Sequence, residues 1–298
     1  MKKFNKMNRN SIQLMNKRSF LQRFENNVKK TIKDFNLLTR KDKVLVAVSG
    51  GKDSTTVLYL LKKFGYNIEA ITINAFIGNY SKRNLENIKD FCKQYEIKLH
   101  IISFKKEFGY SLCYIKSILK SKDVNLKSCT LCGVLKRYLL NKYTRKLNAT
   151  KLVTGHNLDD TAQSILMNFF RNQLQLSSRI GPITGLIRDK KFVMRVKPLY
   201  LTMEEDIEQY SKLNNFPVKY GRCPCASDAY RNTVRNLLNE YEKKYPRIKK
   251  NIVNWYLNAL PKIKNYFFTD EKPNYCKKCG EPSKRDVCMA CLIIEKLK

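Results

Sequence analysis

Apolar residues follow two habits along this chain. In some stretches they sit side by side for several positions, and in others they recur every three or four residues with polar positions between. The first habit marks short strands buried on both faces of a parallel sheet, and the second marks amphipathic helices. Val44 to Val48 is the first buried run, and it stops at Ser49-Gly50-Gly51. Beyond the glycines, Val57, Leu58, Leu60, Leu61 and Phe64 share one helical stripe, with Ser54 expected to cap its start. The same alternation predicts strands at 68–73, 98–103, 151–154 and 192–196. Helices fall between them, including one over 81–95 that places Cys92 in the core. The fold class expected is therefore α/β, with a doubly wound parallel sheet that keeps its ligand at the carboxyl ends of the strands.

Both flanks read as helical. Phe20, Leu21, Phe24, Val28 and Ile32 form a stripe on a basic N-terminal helix, suited either to lying on RNA or to packing by that stripe. After the last strand, Thr202 and Glu205 read as a capping box. The stretch from Tyr230 to Phe268 then interleaves Lys and Arg with Tyr241, Tyr245, Trp255 and Tyr256. That mixture suits phosphate contact with base stacking, although aromatics at such spacing more often belong to a core. The expected division is a basic helical extension over 1–40, a nucleotide-binding domain over 41–200, a helical region over 201–270 and a cysteine-rich module over 271–298.

Charge adds a partner to this picture. The chain carries 59 Lys plus Arg against 25 Asp plus Glu, a net charge of +34, far beyond what solubility requires. A polyanion such as nucleic acid is the natural reading. No run reaches the length of a membrane span, and the first ten residues lack the apolar centre of a signal peptide, so a cytoplasmic protein is expected. In a reducing compartment its ten cysteines suit metal binding or thiol chemistry better than disulfides.

Four segments carry candidate chemistry. The loop Ser49-Gly50-Gly51-Lys52-Asp53-Ser54 joins a strand to a helix start, so backbone N–H groups and Lys52 can cradle a phosphate. It is not a Walker A loop, because Asp53 follows the lysine. Cys129-Thr-Leu-Cys132-Gly133 opens a helix, where two thiols can share a metal, act as nucleophiles or form a redox pair. Gly155-His156-Asn157-Leu158-Asp159-Asp160 lies at the carboxyl end of a strand, with Asp159 read as a helix cap and Asp160 as favouring the helix dipole. At most one of these carboxylates is expected to face a nucleotide, there to hold Mg2+ or take a proton. Finally, Cys276-x2-Cys279-x8-Cys288-x2-Cys291 has the spacing of a tetrahedral zinc site. Cys113 has no evident partner, and Cys223-Pro-Cys225 stands in a loop.

Taken together, these segments resemble the PP-loop tRNA 2-thiolation enzymes of the TtcA/TtuA superfamily, nearest the TtuA group that includes the archaeal and eukaryotic cytoplasmic wobble-uridine thiolases. The resemblance runs from Val44 to the C-terminus and also rests on Pro198-Leu-Tyr200 and Cys223-Pro224. It implies a Rossmann-like PP-loop domain that binds ATP and Mg2+ through Ser49 to Ser54 with Gly155 and His156. It also implies a 4Fe-4S cluster on Cys129, Cys132 and Cys223, and catalytic-site charges at Asp160 and Lys136. Uridine O2 would attack the α-phosphate of ATP while Lys52 and Mg2+ spread charge on the pyrophosphate. A sulfide would then displace AMP from C2. The partners implied are tRNA, a sulfur donor (a ubiquitin-like thiocarboxylate carrier or inorganic sulfide) and a second copy in a homodimer. The wobble uridine is the expected target and the T-loop uridine the second choice. A cluster-free, persulfide-using thiolase or another PP-loop tRNA-modifying amidotransferase are the alternatives. Two features depart from the family pattern: no cysteine precedes Cys92, where an N-terminal zinc finger is usual, and both Cys223 and Cys225 stand at the third ligand site. Lys136 and Arg222 offer the positive surroundings that thiolates need.

Overall fold

The computed structural model of the protein describes residues 9–184, 191–218, 220–221, 223–226, 230–267, 274–283 and 285–297. Arg222 and Phe268 lie outside them. In chain order the elements are α1 (Arg9–Asp34), β1 (Val44–Ala47), α2 (Lys52–Lys63), β2 (Ile68–Asn74), α3 (Gly78–Gln94) and β3 (Leu99–Ser103). Then come α4 (Phe104–Phe108), α5 (Leu112–Ser121), α6 (Ser128–Lys146), β4 (Lys151–Thr154), α7 (Leu158–Phe170) and α8 (Leu174–Ser177). The remainder is β5 (Ile183–Thr184), β6 (Met194–Val196), α9 (Glu204–Leu213), a 3-10 turn (Pro224–Ala226), α10 (Tyr230–Lys244), α11 (Ile248–Tyr266) and α12 (Met289–Lys296).

The six strands form one sheet in the order β3-β2-β1-β4-β6-β5. All neighbours run parallel except β5, which pairs antiparallel with β6 at the edge through Ile183–Val196 and Thr184–Arg195. This two-residue strand is too short to leave a periodic signal in the sequence. The strand order steps outward in opposite directions from β1 and β4, so the crevice between their carboxyl ends is the topological switch point.

Each face of the sheet buries its own core. On one side α2, α3 and α9 cover Val44, Val46 and Val153, and on the other α5 and α6 cover Leu45, Ile71 and Leu152. Alternate residues of β1 thus point to opposite layers, as a strand buried on both faces requires. The basic helix α1 belongs to the first core, with Phe20, Phe24, Val28 and Ile32 all buried and Phe24 stacked on Tyr210 of α9 at 4.2 Å. Of its two sequence readings, packing by one stripe is the observed one. A third core joins α7, α10 and α11 through Leu158, Ala162, Val234, Leu238, Val253 and Tyr256, so the C-terminal helices rest on the helix that follows β4. Tyr256 is therefore a core residue, whereas Tyr241, Tyr245 and Trp255 are exposed. The last helix, α12, inserts Ala290 and Ile293 into the core beneath α6.

Removing a large aromatic from a closed core costs about 3–5 kcal/mol. Phe24→Ala should therefore lower the unfolding free energy by about 3 kcal/mol in urea titrations, whereas a change within experimental scatter would show that α1 is not part of the core.

Candidate active site

The loop after β1 is shaped by two backbone constraints. Gly50 has φ +81°, and a Cβ there would lie 2.7 Å from the Asn84 carbonyl oxygen of α3. Gly155, just past β4, would place a Cβ 2.8 Å from the Ser54 amide nitrogen. Glycine at these two positions lets the ends of β1 and β4 close on the first turn of α2, leaving room beside the helix N-terminus for an anion. Ser54 does not cap α2, because the helix starts two residues earlier and the N-cap is Gly51. Its hydroxyl instead ties the loop together, accepting the Ser49 amide at 3.1 Å and donating to the Gly51 carbonyl at 3.1 Å.

Side chains from four elements converge here. Lys52 Nζ lies 2.6 Å from Glu204 Oε1 and 3.5 Å from Asp53. Burial works against the lysine charge, but Asp53 and Glu204 outweigh it and its pKa is raised. Asp53 accepts a hydrogen bond from Asn157 Nδ2 at 3.0 Å. Burial raises the Asp53 pKa, Lys52 opposes that, and the nearby Asp160 carboxylate adds to it. Two carboxylates repelling each other across a phosphate-binding loop fit a divalent cation, which would remove the repulsion.

The two aspartates of α7 separate by role. The helix cap is Asn157, not Asp159: its side chain accepts the Asp160 amide at 2.9 Å and Asp160 returns the bond, forming a capping box. Asp159 points the other way, into the interior. It is 2.6 Å from Lys249 Nζ of α11, both residues are buried, and it accepts the Glu204 amide at 2.8 Å. That last bond explains why the expected Thr202–Glu205 capping box is absent and Met203 is the N-cap: a carboxylate from another helix satisfies the first turn of α9. Asp160 remains at the crevice, 3.2 Å from Arg231 Nη1 of α10.

A cationic wall surrounds Asp160. His156 is solvent-exposed on one side, with its Nδ1 2.9 Å from the Thr154 hydroxyl. Crowding by protein, reinforced by Lys197, Arg231 and Arg195, nonetheless pushes its imidazole down to about 4 against the pull of Asp160. Burial pushes Lys197 down to about 8, and Asp160 opposes the shift. Neither Arg231 nor Lys197 stood out in the sequence. Arg231 is one basic residue among many on α10, and only the packing of α10 on α7 brings it to Asp160.

Cys129 is the second residue of α6 and Cys132 the fifth, and Cys223, in the loop before the 3-10 turn, is near enough to act on both electrostatically. Burial raises the Cys132 thiol, Lys136 one turn later pulls it down, and Cys223 and Cys129 push it up as neighbouring charges. Burial and Cys223 likewise raise Cys129, while Arg231 lowers it. The guanidinium that pairs with Asp160 is therefore also the cation beside Cys129. A second link runs through α3: Asn84, whose carbonyl abuts Gly50, hydrogen-bonds Tyr80, and Tyr80 feels Cys223 and Cys132. Three thiols facing one another, with cations on two sides, fit an iron-sulfur cluster held by three cysteines.

The other four cysteines form a separate group. The Sγ atoms of Cys276, Cys279, Cys288 and Cys291 lie within 4.8 Å of one another, the donor set and closeness of a tetrahedral zinc site. Burial works against the Cys276 thiolate, but amide donors from Cys288, Cys279 and Lys278 bring it down to about 6. Glu281 anchors this module to α6 through Arg145 and Asn141. Among the described residues, no helix is long and apolar enough to cross a membrane.

Comparison with known proteins gives a consistent result. The family model of the PP-loop domain, ATP_bind_3, matches residues 20–241. The tRNA-5-methyluridine(54) 2-sulfurtransferase of Pyrococcus horikoshii is 37% identical over 276 residues, covering 91% of this chain and 84% of that protein. Cytoplasmic tRNA 2-thiolation protein 1 of Caenorhabditis briggsae is 31% identical, covering 93% of this chain and 74% of that one. Among solved structures, the U34-tRNA thiolase NcsA from Methanococcus maripaludis, with its [4Fe-4S] cluster, superimposes with a TM-score of 0.79 at 29% identity, covering 94% of this chain and 89% of that one.

The two aspartates should respond differently to substitution. Asp159→Ala leaves Lys249 buried without its partner and should cost about 3–5 kcal/mol of stability in urea denaturation. Asp160→Ala breaks a more exposed pair and should cost about 1 kcal/mol or less. Equal losses would refute this assignment. In the cysteine module, Cys279→Ser should lower the zinc content of the purified chain by elemental analysis and leave its iron unchanged.

Proposed function

The chain belongs to the PP-loop domain family, and on that premise we propose that it is an ATP-dependent tRNA sulfurtransferase that converts a uridine to 2-thiouridine. The observation that carries this reading is the convergence at one sheet edge of the phosphate-cradling loop, Asp160 and the three thiols, joined through Arg231. The loop from Ser49 to Ser54, with Gly155 and His156 beside it, would hold the ATP phosphates, and Lys52 would exchange Glu204 for pyrophosphate oxygens. Asp53 and Asp160 would hold Mg2+.

The chemical need is clear. A carbonyl oxygen leaves C2 poorly until it has become an AMP ester, so adenylation must precede sulfur attack. Uridine O2 attacks the α-phosphate, pyrophosphate departs, and sulfur adds to C2 as AMP leaves. Lys197, Arg231 and His156 ring the position where negative charge develops, and the neutral imidazole that His156 keeps at physiological pH can donate or accept a hydrogen bond there. A bound 4Fe-4S cluster on Cys129, Cys132 and Cys223 would supply an iron free of protein thiolate to present sulfide. Burial raises the Cys132 thiol and Lys136 opposes that rise, so binding of the cluster irons would supply what deprotonates it.

The finer assignments are also part of the proposal. The wobble uridine is the target, with the T-loop uridine as a second reading favoured by the name of the 37% identical relative. Sulfur comes from a thiocarboxylate carrier or inorganic sulfide, and the chain works as a homodimer. RNA would lie against the exposed Tyr241, Tyr245 and Trp255 among the basic residues of α10 and α11.

Thin-layer analysis of radiolabelled ATP should show AMP and pyrophosphate formed only with tRNA present. Asp53→Ala should lower that rate by about 100-fold or more, and ADP with orthophosphate as products would overturn the reading. Cys223→Ala should abolish 2-thiouridine by nucleoside mass spectrometry while leaving tRNA binding intact, with the modified position (34 or 54) read from RNase fragments. Affinity for tRNA should fall by about 10³-fold or more between 50 and 200 mM salt if six or more phosphates are contacted.

A further inference from the structure

The stripe that α1 buries leaves its other face to solvent, and the last turns of that face meet the far end of α2 across a cavity of about 520 Å³. Ile32 and Phe64 are buried at its floor, while Lys29, Lys33, Arg40 and Lys63 are exposed around its rim. None of the ten residues that line it is acidic. Arg40 is firmly seated: its Nη1 donates to the Phe64 carbonyl at 2.5 Å, and its guanidinium lies 4.8 Å from the centre of the Tyr66 ring. Gly65 makes room for it, since a Cβ at that residue, with φ +75°, would lie 3.1 Å from Arg40 Nη1. Arg40 thereby serves the carbonyl end of α2, a task often given to basic residues, and Lys63 pairs with Glu25 at 2.6 Å. The other two cations have no such use. Lys29 rests 4.8 Å from the centre of the Phe64 ring, and among the described residues neither it nor Lys33 forms an ion pair.

We propose that this cavity is a second RNA-binding site, which takes backbone phosphates of the tRNA remote from the reacting uridine. The identity of the polyanion rests on the thiolation reading; the site itself rests on the cavity and its cations.

Position separates this site from the crevice. Arg40 precedes β1 and Tyr66 precedes β2, so the cavity lies at the amino ends of the strands, opposite the switch point. Lys52 opens α2 and Lys63 closes it, and a helix of 12 residues is about 18 Å long. Cations gathered around one cavity repel one another until an anion joins them, and Lys and Arg bind phosphate oxygens through charge-assisted hydrogen bonds. The surroundings favour a polynucleotide over a free nucleotide. A small ligand is held by a pocket that encloses it, whereas all four cations here stand on an exposed rim. The positive face also continues along α1 through Lys17, Arg18, Arg23 and Lys30, all exposed, as a surface that tracks an RNA backbone would. Contacts of this kind carry no base information, but they fix the orientation of the RNA. A helix whose buried stripe makes it part of the core thus uses its opposite face to hold the substrate.

The test uses the full chain and an unmodified tRNA transcript. Lysines are acylated with an amine-reactive reagent and the labelled positions read by peptide mass spectrometry. Bound tRNA should suppress most of the labelling at Lys29 and Lys33, whereas ATP with Mg2+ should shield Lys52 and leave those two unchanged. Lys29→Glu combined with Lys33→Glu should weaken tRNA binding by about tenfold or more near about 100 mM salt and lower the log–log salt slope by about 2. Lys33→Gln, a milder change, should lower that slope by about 1. The same charge reversal on the opposite layer, Lys116→Glu with Lys120→Glu on the exposed face of α5, should weaken binding far less. Full labelling of Lys29 and Lys33 in the tRNA complex, their protection by ATP alone, or equal losses from the two double variants would overturn the proposal. Formation of 2-thiouridine by the parent chain reports on the thiolation reading separately, since a chain that binds tRNA at this cavity without thiolating it would refute that reading alone.

Discussion

The buried pair between Asp159 and Lys249 is the constraint on which the site depends. Taking both charges out of water is costly, and such a pair contributes less to stability than its short distance suggests. What it supplies is position. Asp159 also holds the first amide of α9, which aims Glu204 at Lys52; Lys52 neighbours Asp53, Asp53 is held by Asn157, and Asn157 caps the helix that carries Asp160. Asp160 closes the circuit through Arg231, so both ends of this chain of contacts are cations from the C-terminal helices.

This arrangement balances charge in a crevice that must accept a polyanion. Lys52, Lys197, Arg231 and Arg195 gather on one side, while Asp53, Asp160 and Glu204 keep them from repelling one another at rest. An incoming triphosphate can replace Glu204 on Lys52 without leaving a buried cation bare. Glu204 would thus act as a placeholder for a ligand oxygen, with the cations already in position before the ligand arrives.

Much of this was legible in the chain itself, because it depends on neighbours in sequence. The Val44 run, the glycine turn and the four-cysteine spacing each encode their local geometry, and the strands at 68 and 151 fell where alternation placed them. Helix caps were less legible. Asp159 and Thr202 are both good capping residues, yet neither caps its own helix, since Asp159 is used across helices and that use displaces the box at Thr202. The Lys52–Glu204 contact spans 152 residues, and the Arg231–Asp160 pair spans 71. Such pairs follow from packing, which no periodicity reports.

The order in which the chain emerges during synthesis gives the circuit a further meaning. Domains tend to fold from the N-terminus as they appear. The sheet is complete once Val196 is out, and the glycine cradle already exists at that point. The cations that seat the two aspartates come only at positions 231 and 249. A nascent chain paused between these points has the loop and Asp53 held by Lys52 and Asn157, but Asp160 still lacks Arg231 and Asp159 still lacks Lys249. The ion pairs that complete the crevice are thus made together with the helices proposed above to hold the RNA.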